Sequence, residues 1–162
     1  MSTAPRKTAR RRTSPDTPQP ALRYRVEVLS VQAHLFAVTL EIDRPAAKQR
    51  VALPVWIPGS YMVREFSQHL QRLTASQGGE PLPTRQLDKH RWEIETLGDA
   101  DGPQTLTVRC EIYAFDASVR TAFLDSTRGF FNATSLCLMV PGREDEPCSL
   151  DIVPGQAPAD WQ

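Results

Sequence analysis

The residues whose types suit chemistry are concentrated in one stretch, residues 113–138, with the sequence YAFDASVRTAFLDSTRGFFNATSLCL. Charged residues stand among phenylalanines there in no regular order; they include Arg120, Asp125 and Arg128 beside Phe115, Phe123, Phe130 and Phe131. Neither the period of 2 of a strand nor the period of 3.6 of a helix explains this arrangement. Gly129 permits an unusual backbone angle or the close approach of another group. We therefore interpret the stretch as a shaped, partly buried surface that meets a ligand or a partner domain.

Catalytic ligand sets are missing from the sequence. A zinc peptidase of the HExxH type needs two histidines one helical turn apart, with a glutamate beside the first as general base. The histidines are His34, His69 and His90, and no two of them have that spacing. No serine lies in a GxSxG elbow, and no glycine-rich phosphate loop is present. We predict no catalytic residue, no metal site and no cofactor in this chain.

The elements that position this stretch are predicted to be strands. Period-2 alternation of apolar residues predicts strands at residues 23–28, 34–42, 50–57, 91–96, 105–113, 135–140 and 148–153. The short gap between the first two predicts a hairpin, with His34 at an inward-facing position as a packed, hydrogen-bonded histidine. About eight or nine short strands predict an all-β fold, an antiparallel β-sandwich or a saddle-like pair of sheets.

Three local signals refine this interpretation. Pro54 indicates an edge position or a bulge in the third strand, and Pro58-Gly59-Ser60 predicts the turn that ends it. Residues 66–76 have apolar residues at helical spacing, but they lead into Gly78-Gly79, which is a hairpin signal. We predict a strand for residues 66–76.

Composition separates a leader from the rest of the chain. Residues 1–22 carry five basic residues and one acidic residue, while the whole chain has 19 of each sign, so the remainder is mildly acidic. We predict that residues 1–21 are a disordered basic leader and that residues 22–162 form one domain. The acidic remainder predicts no nucleic-acid partner, and a solvated leader is favoured over an RNA-binding one. No apolar run approaches the roughly 18 to 20 residues that span a bilayer, so we expect no membrane partner.

The three cysteines, Cys110, Cys137 and Cys148, are an odd number without a CxxC pair. No apolar segment typical of a secretory signal follows the basic residues of the leader. Buried free thiols and a cytoplasmic location are therefore expected.

Four segments carry a family resemblance. They are LPVWIPGSYMVREFSQHL (53–70), DKHRWEIE (88–95), LTVRCEIYAFD (106–116) and SVRTAFLDSTRGFFN (118–132). Over residues 22–162 the chain resembles the amino-terminal domain of the glycyl aminopeptidase family. The resemblance implies a β-rich domain that precedes a thermolysin-like zinc catalytic domain with HExxH and, usually, a PDZ domain. It implies that zinc belongs to that catalytic domain and that the catalytic domain of the same polypeptide is the partner.

The resemblance also implies candidate residues for binding a peptide substrate. Asn132 in GFFNATS is the residue expected to meet the α-ammonium, because an amide side chain can accept from an ammonium and donate to a peptide carbonyl. Capping of a turn after Gly129 is the equally weighted alternative for Asn132. Phe130 and Phe131 are neighbours that face opposite sides of a strand, so we expect one in the core and the other at the cleft or the catalytic domain.

A second set of residues is expected at the interface with the catalytic domain. These candidates are Tyr61, Arg64 and Phe66 in PGSYMVREF, and Arg120 and Arg128 in the second motif. Arginine suits interfaces because its guanidinium forms bidentate pairs and stacks on aromatic rings. An ion pair with Asp125 inside the domain is the alternative, and we favour it for Arg128.

The function that the resemblance implies is that of a non-catalytic N-terminal domain in a zinc metallo-aminopeptidase. Such a domain helps to form the substrate cleft and docks on the catalytic domain, and the parent enzyme hydrolyses peptides from the N terminus with a preference for glycine. We expect this chain alone to be inactive. A free-standing β-sandwich module that binds peptide or carbohydrate is the alternative, and a nucleic-acid-associated protein acting through the leader is a third reading.

Overall fold

The computed structural model describes residues 19–98, 104–159 and 161. The predicted leader lies outside the described residues except for its last three positions. Among the described residues the strands are β1 (Leu22–Ser30), β2 (Leu35–Ile42), β3 (Lys48–Ala52), β4 (Leu70–Gln77), β5 (Glu80–Leu82), β6 (Thr84–Gln86), β7 (Arg91–Glu95), β8 (Leu106–Tyr113), β9 (Ala122–Leu124), β10 (Gly129–Phe131) and β11 (Cys148–Val153). The helices are a 3₁₀ turn at Phe66–His69 and a single helical turn, α1, at Ala133–Leu136.

The strands form three sheets, as expected for an all-β fold. The largest has the order β11-β1-β2-β8-β4-β5, the second has the order β3-β7-β6, and β9 pairs with β10 as a two-stranded hairpin. All pairs are antiparallel except β1 with β11, which are parallel. The predicted antiparallel β-fold is confirmed, with this parallel pair as the exception among the described strands. The chain reaches β11 through α1 and residues 137–147, a connection long enough to return beside β1 in the same direction.

The six-stranded sheet has one apolar face and one charged face, because successive side chains of a strand alternate. Residues of the apolar face are fully buried; they include Val26, Val38, Leu40, Val108 and Ile112. Cross-strand ion pairs mark the charged face, where Arg109 donates to Glu27 across β2 at 3.0 Å. The strands predicted at residues 23–28, 34–42, 91–96 and 105–113 are confirmed, and their alternating apolar residues face the core, apart from His34.

His34 was expected on a strand, but it lies in the turn between β1 and β2 with φ of 56°. Its imidazole Nδ1 donates to the carbonyl of Leu124 at 2.6 Å, and its ring lies 4.1 Å from the ring of Phe115. The packed, hydrogen-bonded histidine is confirmed, and its position in a strand was wrong. The turn places residue 34 in the left-handed region, so the period-2 pattern begins one residue later.

Two further predictions of strands were wrong at their ends. The third strand stops at Ala52, before Pro54, because proline has no N–H for the ladder. Pro58 and Gly59 form the predicted turn, and Gly59 has φ of 80°. Residues 66–69 are a 3₁₀ turn, and the strand begins only at Leu70. The helical spacing therefore corresponds to the 3₁₀ turn, and the hairpin signal corresponds to the strand that follows it.

The predicted strand at residues 135–140 is wrong. Residues 133–136 form α1, and residues 137–140 are extended with a single bridge from Met139 to Ala52. Ser135 donates both its backbone N–H and its hydroxyl to the carbonyl of Asn132, which closes a helical turn instead of a strand. The cysteines are free, and Cys110 is buried as expected, but Cys148 is exposed on β11.

A polar network joins the ends of three strands. The guanidinium of Arg23 donates to both carboxylate oxygens of Asp43 at 2.6 and 2.9 Å, and Thr105 donates its hydroxyl to Asp43 at 2.7 Å. Arg143 donates to the backbone carbonyl of Asp43 at 3.0 Å. The hydrogen bond from Arg23 is the main cause that lowers the pKa of Asp43 to about 2. These hydrogen bonds connect the start of β1 to the start of β8 and to the segment before β11.

We predict that Leu40→Ala destabilises the domain by about 2 to 5 kcal/mol, because Leu40 is fully buried in the central strand β2 and its loss leaves a cavity. Urea unfolding followed by circular dichroism measures the change. Leu97→Ala is the matched control, since Leu97 is 56% exposed and its truncation should change stability by no more than about 0.5 kcal/mol. Equal losses for the two variants would contradict this assignment of the core.

We also predict that the contribution of Asp43 to stability disappears in acid. Its pKa is lower in the folded than in the unfolded chain, so the ionised carboxylate stabilises the fold above pH 4 and stops doing so as pH falls towards 2. The difference in melting temperature between the wild type and Asp43→Asn should therefore be largest near neutrality and should shrink between about pH 4 and 2. A difference that stays constant over that range would contradict the prediction.

Candidate functional site

The β9–β10 hairpin forms the centre of the stretch singled out by the sequence. Its turn is closed by Asp125, whose carboxylate accepts from the backbone N–H groups of Thr127 and Arg128 at 2.7 and 3.0 Å and from the Thr127 hydroxyl at 2.7 Å. The hydroxyl bond is the main cause that lowers the pKa of Asp125. This arrangement is the local side-chain capping that Asp favours in turns. The hairpin thus presents β10 and the residues after it in a defined position.

Asn132 lies directly after β10 and caps α1. Its side-chain oxygen accepts from the backbone N–H of Thr134 at 3.0 Å, and its own N–H donates to the carbonyl of Thr121 at 2.8 Å. The capping role weighed from the sequence is therefore confirmed. The side chain is half-buried, and its amide nitrogen has no hydrogen-bond acceptor among the described residues. A free N–H₂ group and one free lone pair on the oxygen stay available to a ligand.

Phe130 and Phe131 point in opposite directions, as expected for neighbours on a strand. Phe131 packs against the core and meets the Phe36 ring edge-on at 5.7 Å between centroids. Phe130 stacks on Phe123 of the paired strand at 5.9 Å. Phe131 is thus the core residue of the two, and Phe130 belongs to the outer face of the hairpin.

A row of stacked rings runs along this outer face and was not foreseen from the sequence. Phe115 lies 5.2 Å from Phe123, and His34 lies on the other side of Phe115. Phe115 is 51% exposed although it is a large apolar residue. The spacing F-x₇-F-x₆-F is visible in the sequence, but the rings are aligned by the pairing of β9 with β10 and by the bridge between Phe115 and Phe123.

The two arginines of this motif do not form the ion pair that was favoured for Arg128. The guanidinium of Arg128 lies 5.4 Å from the centre of the Phe123 ring, and the hydrogen bond from Arg128 to the Asp125 carboxylate comes from its backbone N–H. The prediction of an Arg128–Asp125 side-chain pair is therefore wrong, because the turn directs the carboxylate towards the backbone. Arg120 is exposed and has no ion pair within the described part of the chain.

A second prominent surface is the apolar loop, which we define as residues 56–63 with the exposed side chains of Trp56, Tyr61, Met62 and Val63. Their exposed fractions are 52%, 106%, 64% and 70%. Four large apolar side chains exposed in one loop are unusual on a monomer surface and indicate a contact with a partner.

The apolar loop is held in shape by its own polar groups. Ser60 is buried, and its hydroxyl accepts from Arg64 Nε at 3.2 Å and donates to the carbonyl of Met62 at 3.1 Å. Trp56 Nε1 donates to the carbonyl of Ser60 at 2.8 Å. Arg64 is therefore a brace of the loop. Phe66 is 3% exposed, so its ring packs inside the domain and cannot serve as an interface residue.

An open groove with a volume of about 680 Å³ lies between the hairpin, β1 and the segment after β11. Its lining is mostly apolar and includes Phe36, Phe130, Phe131, Ile152, Pro158 and Trp161. Trp161 donates its indole N–H to the carbonyl of Ser126 at 3.1 Å. A Cβ at position 129 would lie 3.0 Å from ring carbons of Trp161, so Gly129 allows the close approach that the sequence suggested.

The described residues do not fit a zinc site. His34 lies in the first hairpin turn, His69 ends the 3₁₀ turn, and His90 precedes β7. Across residues 19–98, 104–159 and 161, no three His, Cys, Asp or Glu side chains come close enough together to hold a metal ion. The same residues contain no helix that is long and apolar enough to cross a membrane.

Comparison with known proteins gives a consistent result. Residues 23–162 match the family described as the Peptidase M61 N-terminal domain. No curated protein matches the chain. Among solved structures, an aminopeptidase N family protein from Idiomarina loihiensis is similar, with 41% identity and a TM-score of 0.78 over 83% of this chain. The match spans 22% of that relative's chain. The resemblance seen in the sequence is confirmed, and this chain belongs to the family of Peptidase M61 N-terminal domains.

Proposed function

We propose that this chain is the non-catalytic N-terminal domain of a zinc metallo-aminopeptidase. In this proposal it docks on the catalytic domain of the same polypeptide and lines part of the cleft for a peptide substrate. The observation that carries the proposal is the 41% identity to an aminopeptidase N family protein whose chain is several times longer. In this proposal zinc and the hydrolytic residues belong to the catalytic domain, and the described residues bring together no three metal-ligating side chains.

The apolar loop supports docking on another domain. Tyr61, Met62 and Val63 are exposed, but the backbone that carries them is braced by Ser60 and Arg64. A preformed apolar surface loses little conformational entropy when a partner covers it, so its burial translates efficiently into binding. We assign Tyr61 to the docking surface, with Arg64 as the residue that holds the loop in shape.

Asn132 supports a role in the substrate cleft. The capping bond to Thr134 fixes its side-chain oxygen, and the hairpin fixes its backbone through Thr121. A side chain held in this way can present its remaining lone pair and its N–H₂ group to an extended peptide. The α-ammonium of an aminopeptidase substrate is the charged group that we assign to that lone pair, with Phe130 beside it on the outer face of the hairpin. Arg120 and Arg128 stay candidates for the edge of this interface.

Finer features of the parent enzyme belong to the same proposal. A preference for N-terminal glycine and a trailing PDZ domain follow from the family resemblance. A cytoplasmic location is supported by the three free cysteines, which suit a reducing compartment.

We predict that Asn132→Ala in the complete enzyme lowers kcat/KM by about 10- to 150-fold for peptides with a free amino terminus, because one hydrogen bond to a charged group is worth about 1.5 to 3 kcal/mol. The same change should also lower the melting temperature, since the loss of an N-cap costs about 0.5 to 2 kcal/mol. Steady-state kinetics on free and amino-blocked peptides, together with thermal unfolding, measure both effects.

Asn132→Ser separates the two roles of the residue. Serine caps helices about as well as asparagine, so the melting temperature should return to that of the wild type. Its hydroxyl is shorter and lacks the N–H₂ group, so kcat/KM for free peptides should stay low. Recovery of both properties in the serine variant would mean that Asn132 acts only as a cap.

We predict that Tyr61→Ala weakens docking in the complete polypeptide but leaves the 162-residue chain unchanged. The ring is fully exposed, so in this chain alone its loss should alter unfolding by no more than about 0.5 kcal/mol. At an interface, truncation of a buried tyrosine costs about 1 kcal/mol or more. Thermal unfolding of both proteins measures the difference, and a small effect in both would argue against docking through the apolar loop.

A further inference from the structure

The apolar face of the six-stranded sheet extends beyond the layer that covers it. In the parallel pair, Tyr24 is opposite Leu150 and Val26 is opposite Ile152, so Leu150 and Ile152 share the face of the buried core residue Val26. Val26 is 1% exposed, whereas Leu150 and Ile152 are 43% and 66% exposed. The layer that buries Val26 therefore leaves Leu150 and Ile152 exposed among the described residues. A core-facing surface is therefore left open at this end of the domain.

The two edges of the same sheet are built differently. The β5 edge has three residues with Pro81 in the middle, which is a common protection against pairing with another strand. The β11 edge has six residues, CSLDIV, with no proline or lysine. Among the described residues β11 pairs only with β1, so its outer backbone groups have no strand partner. Such an edge is a template for another strand unless something covers it.

The groove described above is continuous with this open edge. Ile152, Val153 and Pro154 line it together with Phe131 and Trp161. We use the name open apolar face for Leu150, Ile152, Phe131 and Trp161 together. A groove of about 680 Å³ with this lining is large enough to receive several side chains of a partner.

We propose that the open apolar face is a second docking surface, covered in the complete protein by the part of the same polypeptide outside this domain. This inference rests on the proposed function, which supplies the partner, and it adds the place of contact. The similar protein from Idiomarina loihiensis supports the choice of this occupant, because the match spans only 22% of that protein's chain. A covalently linked partner is present at high effective concentration, so it occupies such a face in preference to a free protein.

A second copy of the chain is the competing occupant. Two β11 edges could pair about a two-fold axis, but the groove beside β11 is concave, and a self-complementary contact would leave it unfilled. A protruding element of a different domain fills a groove better than a copy of the groove does. We therefore assign the face to the linked domain.

Thiol modification in the complete polypeptide tests this proposal. Ile152→Cys and Leu97→Cys are made separately in a Cys148→Ser background, because Cys148 is the exposed native thiol. Both host residues are well exposed in the domain, at 66% and 56%, so their free thiols would react at similar rates. If the linked domain covers β11, Ile152→Cys should react at least about tenfold more slowly than Leu97→Cys, at every protein concentration. Should Ile152→Cys fail to fold, Leu150→Cys takes its place.

Two results would overturn the proposal. Equal rates at positions 152 and 97 would mean that the face is open in the complete protein. Protection that appears only as the protein concentration rises would mean that a second copy is the occupant.

Val63→Cys in the same background distinguishes this inference from the proposed function. Protection at position 63 without protection at 152 would leave docking through the apolar loop intact and reject only the second surface, and exposure at both would reject docking itself.

Discussion

The structure depends on the need to cover one face of a six-stranded sheet. Alternation along β1, β2 and β8 places Val26, Leu40 and Val108 on the same side, where each is buried. Burial of a side chain of this size is worth about 1.5 to 3 kcal/mol, and the sheet contributes many of them. The second sheet, the β9–β10 hairpin and residues 133–140 are the covering layer. The charged opposite face needs no cover, because cross-strand pairs such as Arg109 with Glu27 satisfy its polar groups in contact with water.

The covering layer also creates the candidate site. The hairpin must reach the core with Phe131, which forces the neighbouring Phe130 outwards and places Asn132 at the point where the chain leaves the sheet. The backbone turns there into α1, so a side chain that caps the first N–H groups is needed. The cap and the proposed ligand contact therefore fall on one residue. A side chain that is already held by the fold loses little entropy when it binds a ligand, which suits a recognition role.

The surfaces left uncovered agree with a domain that works as part of a larger protein. The apolar loop presents large side chains on a braced backbone, and the open apolar face continues the core to the edge of β11. A self-sufficient domain of this size would expose fewer apolar groups in contiguous patches. Under the proposed function, the polypeptide outside this domain covers these surfaces, and the similar solved structure has a chain of which the match spans 22%.

The sequence by itself determined the all-β class, most of the strands and the family. These follow from local properties, namely period-2 alternation in residues such as Leu106 to Ile112, the Gly78-Gly79 hairpin and long specific motifs. Where local rules compete, the sequence was a poor guide: residues 135–140 have apolar residues suited to a strand, but the cap at Asn132 closes a helical turn. Only tertiary structure decided that β11 pairs in parallel with β1, that Phe66 is interior, that Arg128 lies over Phe123 and that Ile152 is exposed. These outcomes depend on which distant segments meet, and no pattern within a single strand or turn contains that information.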